Sequence, residues 1–430
     1  MADGSQAARR RVAVVGSGVG GLSCAWWLSQ TCQVTLFEQD GHFGGHSNTV
    51  EVPGDGAAPA TVPVDTGFIV YNALNYPNLV QLFERIGVAT APSDMSFAVS
   101  LRDRDLEYAG TDLRGLFAQT ANLLRPRFWQ MLRDLHRFYR AAPGYREEAL
   151  RDRLSIGSLL ARHGYSAAFR DDHLLPMAGA IWSATDAQIA DYPAAAFIDF
   201  FANHGLIQYT DRPQWRTVVG GSREYVRRLL AALGNGSRLH ARVARIVRRA
   251  DGVDLVLTNG DRLALLEATS DDERRLLGAF RYSRNRAVLH RDPALMPRRR
   301  RAWASWNYLA GDAALAVTYW MNKLQPLATR TDWFVTLNPP REPRADTIAR
   351  EFDYEHPLFD LAALDAQRGL ARLQGQRHTW YCGSYFGYGF HEDALEAGLW
   401  VAESIGGRAR PWTLANPSAR TRLPAPRIHV

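Results

Sequence analysis

A doubly wound α/β fold with a second, α+β domain is predicted by three features of this 430-residue sequence. A glycine-rich turn, Gly16-Ser17-Gly18-Val19-Gly20-Gly21, separates a strand-like run from a helical one. An acidic residue, Glu38, closes the next strand-like run. Several β-like runs then succeed one another between about 280 and 353.

Taken in order, residues 11–15 read as a strand, 20–30 as a helix and 33–38 as a second strand, which completes a βαβ unit. In such a unit the first glycine permits the tight turn and the second lets the backbone approach a pyrophosphate. The third lets helix and strand pack closely, while the helix N-terminus offers unpaired N–H groups to the anion. Those roles fall to Gly16, Gly18 and Gly21. Glu38 stands 22 residues after Gly16, where a carboxylate can accept hydrogen bonds from an adenosine ribose. An acid here disfavours a 2′-phosphate, so FAD or NAD is expected rather than NADP.

Residues 53–60 read as a surface loop. The stretch from about 75 to 205 reads as mainly helical, with a β-rich interlude near 96–109. Strand character returns at 237–258, with a turn at Asp251 and Gly252. The runs 286–290, 302–309, 315–320 and 333–337 suggest an antiparallel sheet, hence a second layer. Residues 379–405 read as strand, glycine loop and helix, and the Pro- and Arg-rich end as a weakly ordered tail.

With 46% hydrophobic residues the chain can bury a large core. Cys24, Cys32 and Cys382 have neither metal-ligand spacing nor an even framework, so no metal site is expected and a reducing, cytoplasmic setting is the simpler reading. The net charge of +7 is almost wholly arginine, Lys323 being the single lysine. These charges are scattered and carry no nucleic-acid recognition motif. Arg9, Arg10 and Arg11 precede too short an apolar stretch for an export signal, and no run reaches membrane-spanning length. Residues 126–140 put Phe128, Leu132, Leu135 and Tyr139 at helical spacing among Arg127, Arg133, Arg137 and Arg140. That pattern suits a helix packed on the core, with peripheral contact to acidic lipids as the alternative.

Gly41, Gly44 and Gly45 follow Glu38 closely. With Asp65-Thr66-Gly67-Phe68, Val219-Gly220-Gly221, Cys382-Gly383-Ser384 and the run from Glu392 to Gly398, they resemble the motifs of glutathione-reductase-like flavoproteins of the amine oxidase, phytoene desaturase and protoporphyrinogen oxidase group. A narrower resemblance is to bacterial flavoproteins similar to the N-terminal flavin domain of plant cyclopropane fatty acid synthases. It rests on residues 64–72, Tyr76-Pro77-Asn78-Leu79, residues 93–97, Phe201-Ala202-Asn203-His204-Gly205 and residues 385–392.

The resemblance implies an FAD-binding Rossmann domain from 1–70, 215–280 and 375–407, a substrate domain from 71–214 and 281–374, and a tail at 408–430. It implies FAD contacts from Gly16, Gly18, Gly21, Glu38, Gly44, Gly45, His46, Gly67, Val243, Gly383 and the backbone around His391 and Glu392. Phe390 and Tyr388 would wall the substrate site, and Tyr385 and His391 are the candidates for catalysis because they flank the glycine turn nearest the expected flavin ring.

Two departures stand out. The strand resembling that of the amine oxidases' flavin-facing lysine offers Arg286, with Lys323 elsewhere, and His46 replaces an arginine. Beyond Gly260-Asp261-Arg262 the sequence passes straight to Leu263-Ala264-Leu265-Leu266, as if about a dozen residues holding an apolar strand were missing. The implied activity is FAD-dependent oxidation, desaturation or isomerisation of a hydrophobic substrate, a fatty acyl chain first. An amine or a polyene is the alternative, as is a non-catalytic flavin scaffold for a lipid methyltransferase.

Overall fold

The computed structural model describes residues 9–56, 59–182, 185–208, 212–257, 265–311, 314–415, 420–426 and 428. Strand β1 (Arg11–Val15) pairs in parallel with β2 (Gln33–Phe37), and the glycine turn between them opens helix α1 (Val19–Leu28). The other edge of β2 pairs in parallel with the short β3 (Ser237–Arg238), giving the order β1-β2-β3. Among the described residues β1 therefore lies at an edge of this sheet, and Val15 is 40% exposed. Residues 379–383, expected as a strand, have no ladder partner among the described residues and run irregularly into a single 3-10 turn, Ser384–Phe386. Gly260, Asp261 and Arg262 lie outside the described residues. On the far side of them the Ile246 N–H donates to the Leu265 carbonyl and the Glu267 N–H to the Ile246 carbonyl, so the chain leaves alongside the hairpin of Val243–Arg248 and Val253–Leu257.

A seven-stranded sheet forms the second layer. Its order is Ile348–Leu358, Arg281–His290, Phe334–Leu337, Ala314–Trp320, Trp306–Gly311, Phe97–Leu101, Leu106–Ala109. Sequence reasoning expected an antiparallel sheet from the later runs alone. In the structure the interlude near 96–109 joins that sheet, and Phe97–Leu101 pairs in parallel with Trp306–Gly311, which makes the sheet mixed. A parallel pair is open to them because some two hundred residues of chain separate these strands.

Helices cover the region between. Helix α2 (Pro77–Ile86) begins with proline at its first position, where the missing N–H is no loss, and ends on Gly87 in the left-handed region. Helix α3 (Pro126–Arg151) buries Phe128, Met131, Phe138 and Tyr139 in the core. Two of its arginines are engaged within the protein, Arg127 with Asp172 and Arg137 over the Tyr165 ring. The apolar stripe read at 126–140 is thus a core-packing face.

Helix α4 (His391–Gly406) lies against α1 with almost nothing between them. A Cβ on Gly398 would stand 2.1 Å from the Gly20 carbonyl oxygen, and one on Gly20 would stand 2.9 Å from that of Ala394. Described parts of the Pro- and Arg-rich end are packed, contrary to a loose tail. Arg420 is buried in an ion pair with Asp393 at 3.1 Å, and Trp412 stacks on Trp26 while donating to Asn78. Buried anions on α4 drew the arginine in, because an unpaired carboxylate in that position would be costly.

Glu392 ties α4 to α2. Its carboxylate accepts from the Asn78 and Leu79 backbone N–H groups and from the Asn78 amide at 2.8–3.0 Å, capping a helix start that lacks a side-chain cap of its own. Burial nevertheless raises Glu392 to about 7 and Asp65 to about 6. The folded chain then holds these two protons more tightly than the unfolded chain, so the contribution of these two carboxyls falls as pH rises from about 4.5 to about 7, against the opposite slope of the buried histidines described below. Glu392→Gln is expected to remove its share of that fall, so that stability rises more steeply with pH across the interval than in wild type; thermal unfolding measures it, and an unchanged slope would count against the assignment.

Candidate active site

One cavity of about 500 Å³ extends from the glycine turn to an aromatic chamber. At one end lie Gly16, Gly18, Gly20 and Gly21 of the turn with Gly44, Gly45 and His46. Thr66, Gly67, Phe68, Gly383 and His391 line the middle. Trp182, Phe200, His204, Trp215, Tyr388 and Phe390 line the far end.

The glycine end is a cradle for an anion. Gly16 adopts φ +92°, and a Cβ on Gly18 would meet nothing within 4 Å, so that face of the backbone is open. Helix α1 has no side-chain cap, which leaves its first N–H groups free to bind a phosphate. Gly21 has a different job: a Cβ there would stand 2.0 Å from the Gly16 carbonyl oxygen. The turn is pinned by Glu38, whose Oε2 accepts from the Ser17 N–H and hydroxyl at 2.8 and 2.5 Å, and whose Oε1 accepts from Asp40 N–H at 3.0 Å. The Gly44 N–H donates to the Ser17 hydroxyl at 3.1 Å, linking the second glycine cluster to the first. Val243 is buried two residues beyond Ala241, whose N–H donates to the Glu38 carbonyl at 2.7 Å.

Because α1 and α4 cross at Gly20, Ala394 and Gly398, their N-termini converge on the cavity. Each carries roughly half a positive charge. His391 is the first residue of α4; its ring stacks on Phe68 at 3.8 Å and its Nε2 bonds the Ser47 hydroxyl at 3.0 Å. Asp393 accepts from the Tyr388 and Phe390 N–H groups at 3.0 and 2.9 Å and so shapes the loop that presents both rings. Phe390 stacks on Phe200 at 4.9 Å, while Tyr388 lies 5.9 Å from the Arg420 guanidinium. The carboxylate of Glu392 faces α2 rather than the cavity, leaving only the helix start at that position for a ligand.

Tyr385 is placed away from the cavity lining. The 3-10 turn after Gly383 rotates its ring against Phe280 at 5.2 Å, and a Cβ on Gly383 would collide with that ring at 2.5 Å. Arg286 is also outside, paired with Glu342 and Glu351, and Lys323 pairs with Asp94. Sequence reasoning passed over the cavity's other histidines. His204 lies within the run 201–205, and His356 belongs to no motif that the sequence shows. Burial lowers His46 below its ordinary range and takes His204, His356 and His391 to about 3, so all four are neutral imidazoles near pH 7. Burial also pushes the Cys382 thiol up to about 12, which keeps it protonated and unreactive toward a cofactor beside it.

With this geometry in hand, residues 19–271, more than half of the chain, match the family of flavin-containing amine oxidoreductases. The chain belongs to that family. It is accordingly an FAD-dependent oxidoreductase, and the open glycine cradle, the capless helix start and the ordered Glu38 suit the cofactor. A sequence comparison with curated proteins finds no match. Among solved structures the fold resembles putrescine oxidase bound to putrescine, with a TM-score of 0.66 at 15% identity over 94% of this chain and 100% of that one. It also resembles cyclohexylamine oxidase from Brevibacterium oxydans IH-35A, with 0.63 at 15% over 93% and 99%. A third likeness is to the CLA-producing fatty acid isomerase from P. acnes, with 0.60 at 16% over 91% and 97%. These likenesses establish a shared mixed α/β fold.

Gly18→Val tests the cradle. Its side chain enters open space, so the apoprotein should keep its thermal midpoint while FAD affinity falls at least about tenfold, or ~1.4 kcal/mol. Gly21→Val should instead lose the fold. Fluorescence titration of the apoprotein with FAD decides, and full affinity in Gly18→Val would rule out a phosphate at this turn.

Proposed function

We propose that this enzyme oxidises, desaturates or isomerises a hydrophobic chain, a fatty acyl group, at an FAD held in a glutathione-reductase-like Rossmann domain. The lining of the cavity carries this reading. It includes no lysine or arginine among the described residues, and its one carboxylate, Glu355, is paired with Arg284 at 3.3 Å. A cationic substrate would find no free anion there. Aromatic and apolar side chains supply most of the far chamber, and the buried indole N–H groups of Trp182 and Trp306 have no partner among the described residues, which suits an acyl oxygen.

When bound, the flavin supplies two-electron redox chemistry. The chain's part is to hold the substrate between Phe200, Phe390 and Trp215, exclude water with this aromatic wall, and set the converging helix starts where negative charge develops. The fatty acid isomerase among the similar folds supports the acyl reading.

An amine substrate is the second reading, and His204 favours it. Its Nδ1–H donates to the Phe200 carbonyl at 2.9 Å, so its Nε2 is an acceptor, and that atom is buried without a partner among the described residues. An amine N–H would satisfy it, and the putrescine and cyclohexylamine oxidases support this alternative.

Anaerobic mixing of the oxidised holoenzyme with unsaturated or methyl-branched fatty acids and phospholipids is expected to bleach the flavin or to shift the lipid's mass or double-bond position. Bleaching by benzylamine or putrescine, with none by any lipid, would select the amine. Lipid access falls to Leu113, Leu123, Leu124 and Trp129, the first and third 74% and 87% exposed, with the exposed cation Arg301 on the turn packed against the Leu113 helix. Co-sedimentation with phosphatidylglycerol vesicles should weaken several-fold in Leu113→Ser/Leu124→Ser; equal binding by wild type and double variant would remove this surface from the proposal.

A further inference from the structure

His356 is held by a one-way relay of hydrogen bonds that fixes which of its nitrogens carries the proton. Strand β4 (Arg281–His290) and strand β5 (Ile348–Leu358) are antiparallel neighbours, with Ser283 opposite His356. The relay starts at the Arg286 backbone N–H, which can only donate, and it donates to Asn338 Oδ1 at 3.0 Å. That contact orients the Asn338 amide, so its Nδ2 faces Asn285 and donates to Asn285 Oδ1 at 2.7 Å. Asn285 in turn must present Nδ2, and it donates to His356 Nδ1 at 2.8 Å. The same Nδ2 is 3.1 Å from the Ser283 hydroxyl and 3.3 Å from the Ser283 carbonyl, both able to accept. Every link after the first is dictated by the one before it.

Asn338 holds this position at φ +49°, a conformation unusual for a residue with a side chain, and its own N–H donates to the Arg286 carbonyl at 2.8 Å. Two contacts with one residue thus fix an amide at a strained backbone position, and strain of this kind collects at functional sites. Because Nδ1 of His356 accepts, the proton of the neutral ring is on Nε2. Burial takes the ring to about 3, with neighbouring His46 acting in the same direction, so the neutral form is the one present. The ring lines the cavity, and its Nδ1 is spent on β4. Nε2–H is the donor left to serve the cavity.

His356 stands where the glycine end meets the middle of the cavity. Its ring centroid is 5.1 Å from that of His46, which follows Gly44 and Gly45 directly, and a Cβ on Gly45 would lie 3.2 Å from the Gly18 Cα. This is the end assigned above to the dinucleotide.

We propose that His356 is a catalytic residue of this enzyme, a neutral Nε2–H donor to the flavin ring whose tautomer is set by the Arg286–Asn338–Asn285 relay. Asn285 and Asn338 are positioning residues. A donor that is fixed before reduction and uncharged stabilises negative charge on the reduced ring without costing a buried cation. The identity of the acceptor rests on the flavin site already assigned; the tautomer does not.

The two parts separate in experiment. Nitrogen-15 spectra of histidine-labelled apoprotein, with His356→Gln used to assign the signal, are expected to show an unprotonated Nδ1 and a protonated Nε2. Asn285→Asp, which can only accept at that position, is expected to move the proton to Nδ1. A wild-type ring protonated on Nδ1, or a tautomer unmoved by Asn285→Asp, overturns the relay whether or not flavin binds. In the holoenzyme, redox titration against reference dyes is expected to find the reduction equilibrium of His356→Leu at least tenfold less favourable, about 30 mV for a two-electron couple. His356→Gln, which keeps an N–H donor, should recover most of that loss. A potential unchanged in His356→Leu, or equally lowered in both variants, overturns the donor role, while a protein that binds no flavin fails the earlier reading and leaves the tautomer to be judged by its spectra.

Discussion

Gly20 and Gly398 let α1 and α4 cross at backbone contact, and the rest of the site depends on that approach. A single methyl group at Gly398 would overlap the Gly20 carbonyl, so the two helices could separate only by shifting their N-termini. Those N-termini carry the anion cradle at Val19 and the cavity wall at His391. Their convergence places two partial positive charges on one cavity with no lysine or arginine among its described lining residues. The large mixed sheet then supplies the remaining wall through Tyr354, Glu355 and His356.

Holding that arrangement required charge to be buried. Glu392, Asp393 and Arg420 are all almost wholly enclosed, and so is Asp65. Each anion has a structural task. Glu392 caps α2, Asp393 folds the loop that carries Tyr388 and Phe390, and Asp65 accepts from Ser222 and Thr49 to fix the turn at Gly220 and Gly221. Buried ion pairs and carboxylates of this type add little net stability, but losing one partner would be severe. This explains why Arg420, from a stretch rich in proline and arginine, is anchored: its guanidinium offsets part of the cost of burying Asp393.

The glycine turn and Glu38 were legible in the sequence because their meaning is local. Six consecutive residues set the turn, and the following strand sets where the acid falls. The cavity's far wall was not legible in the same way. Tyr385 stood beside the right glycine, yet the direction of its ring depends on a 3-10 turn that no periodicity reports. His356 looked like any other histidine until β4 and β5 were in register and Asn285 was brought to its Nδ1. The interlude near 96–109 had visible strand character, but its parallel partner lies two hundred residues away. Arg420 gave no signal at all, since only the tertiary position of Asp393 explains its burial.

The cavity's polarity follows from which groups burial has silenced. A charged imidazole in this enclosure would repel the positive ends of two helices and strand a cation beside apolar walls, so all four cavity histidines stay neutral. Neutral rings keep one donor and one acceptor each, and at His204, His356 and His391 the protein engages one of the two with its own backbone or side chains. At His204 the donor is spent on Phe200 and an acceptor remains; at His356 the acceptor is spent on Asn285 and a donor remains. Two residues of the same type thereby offer opposite hydrogen-bonding character at two places in one cavity. An occupant is oriented by that difference as well as by shape, with electron-rich atoms drawn toward the glycine end and the helix starts, and hydrogen-bearing groups toward the aromatic chamber.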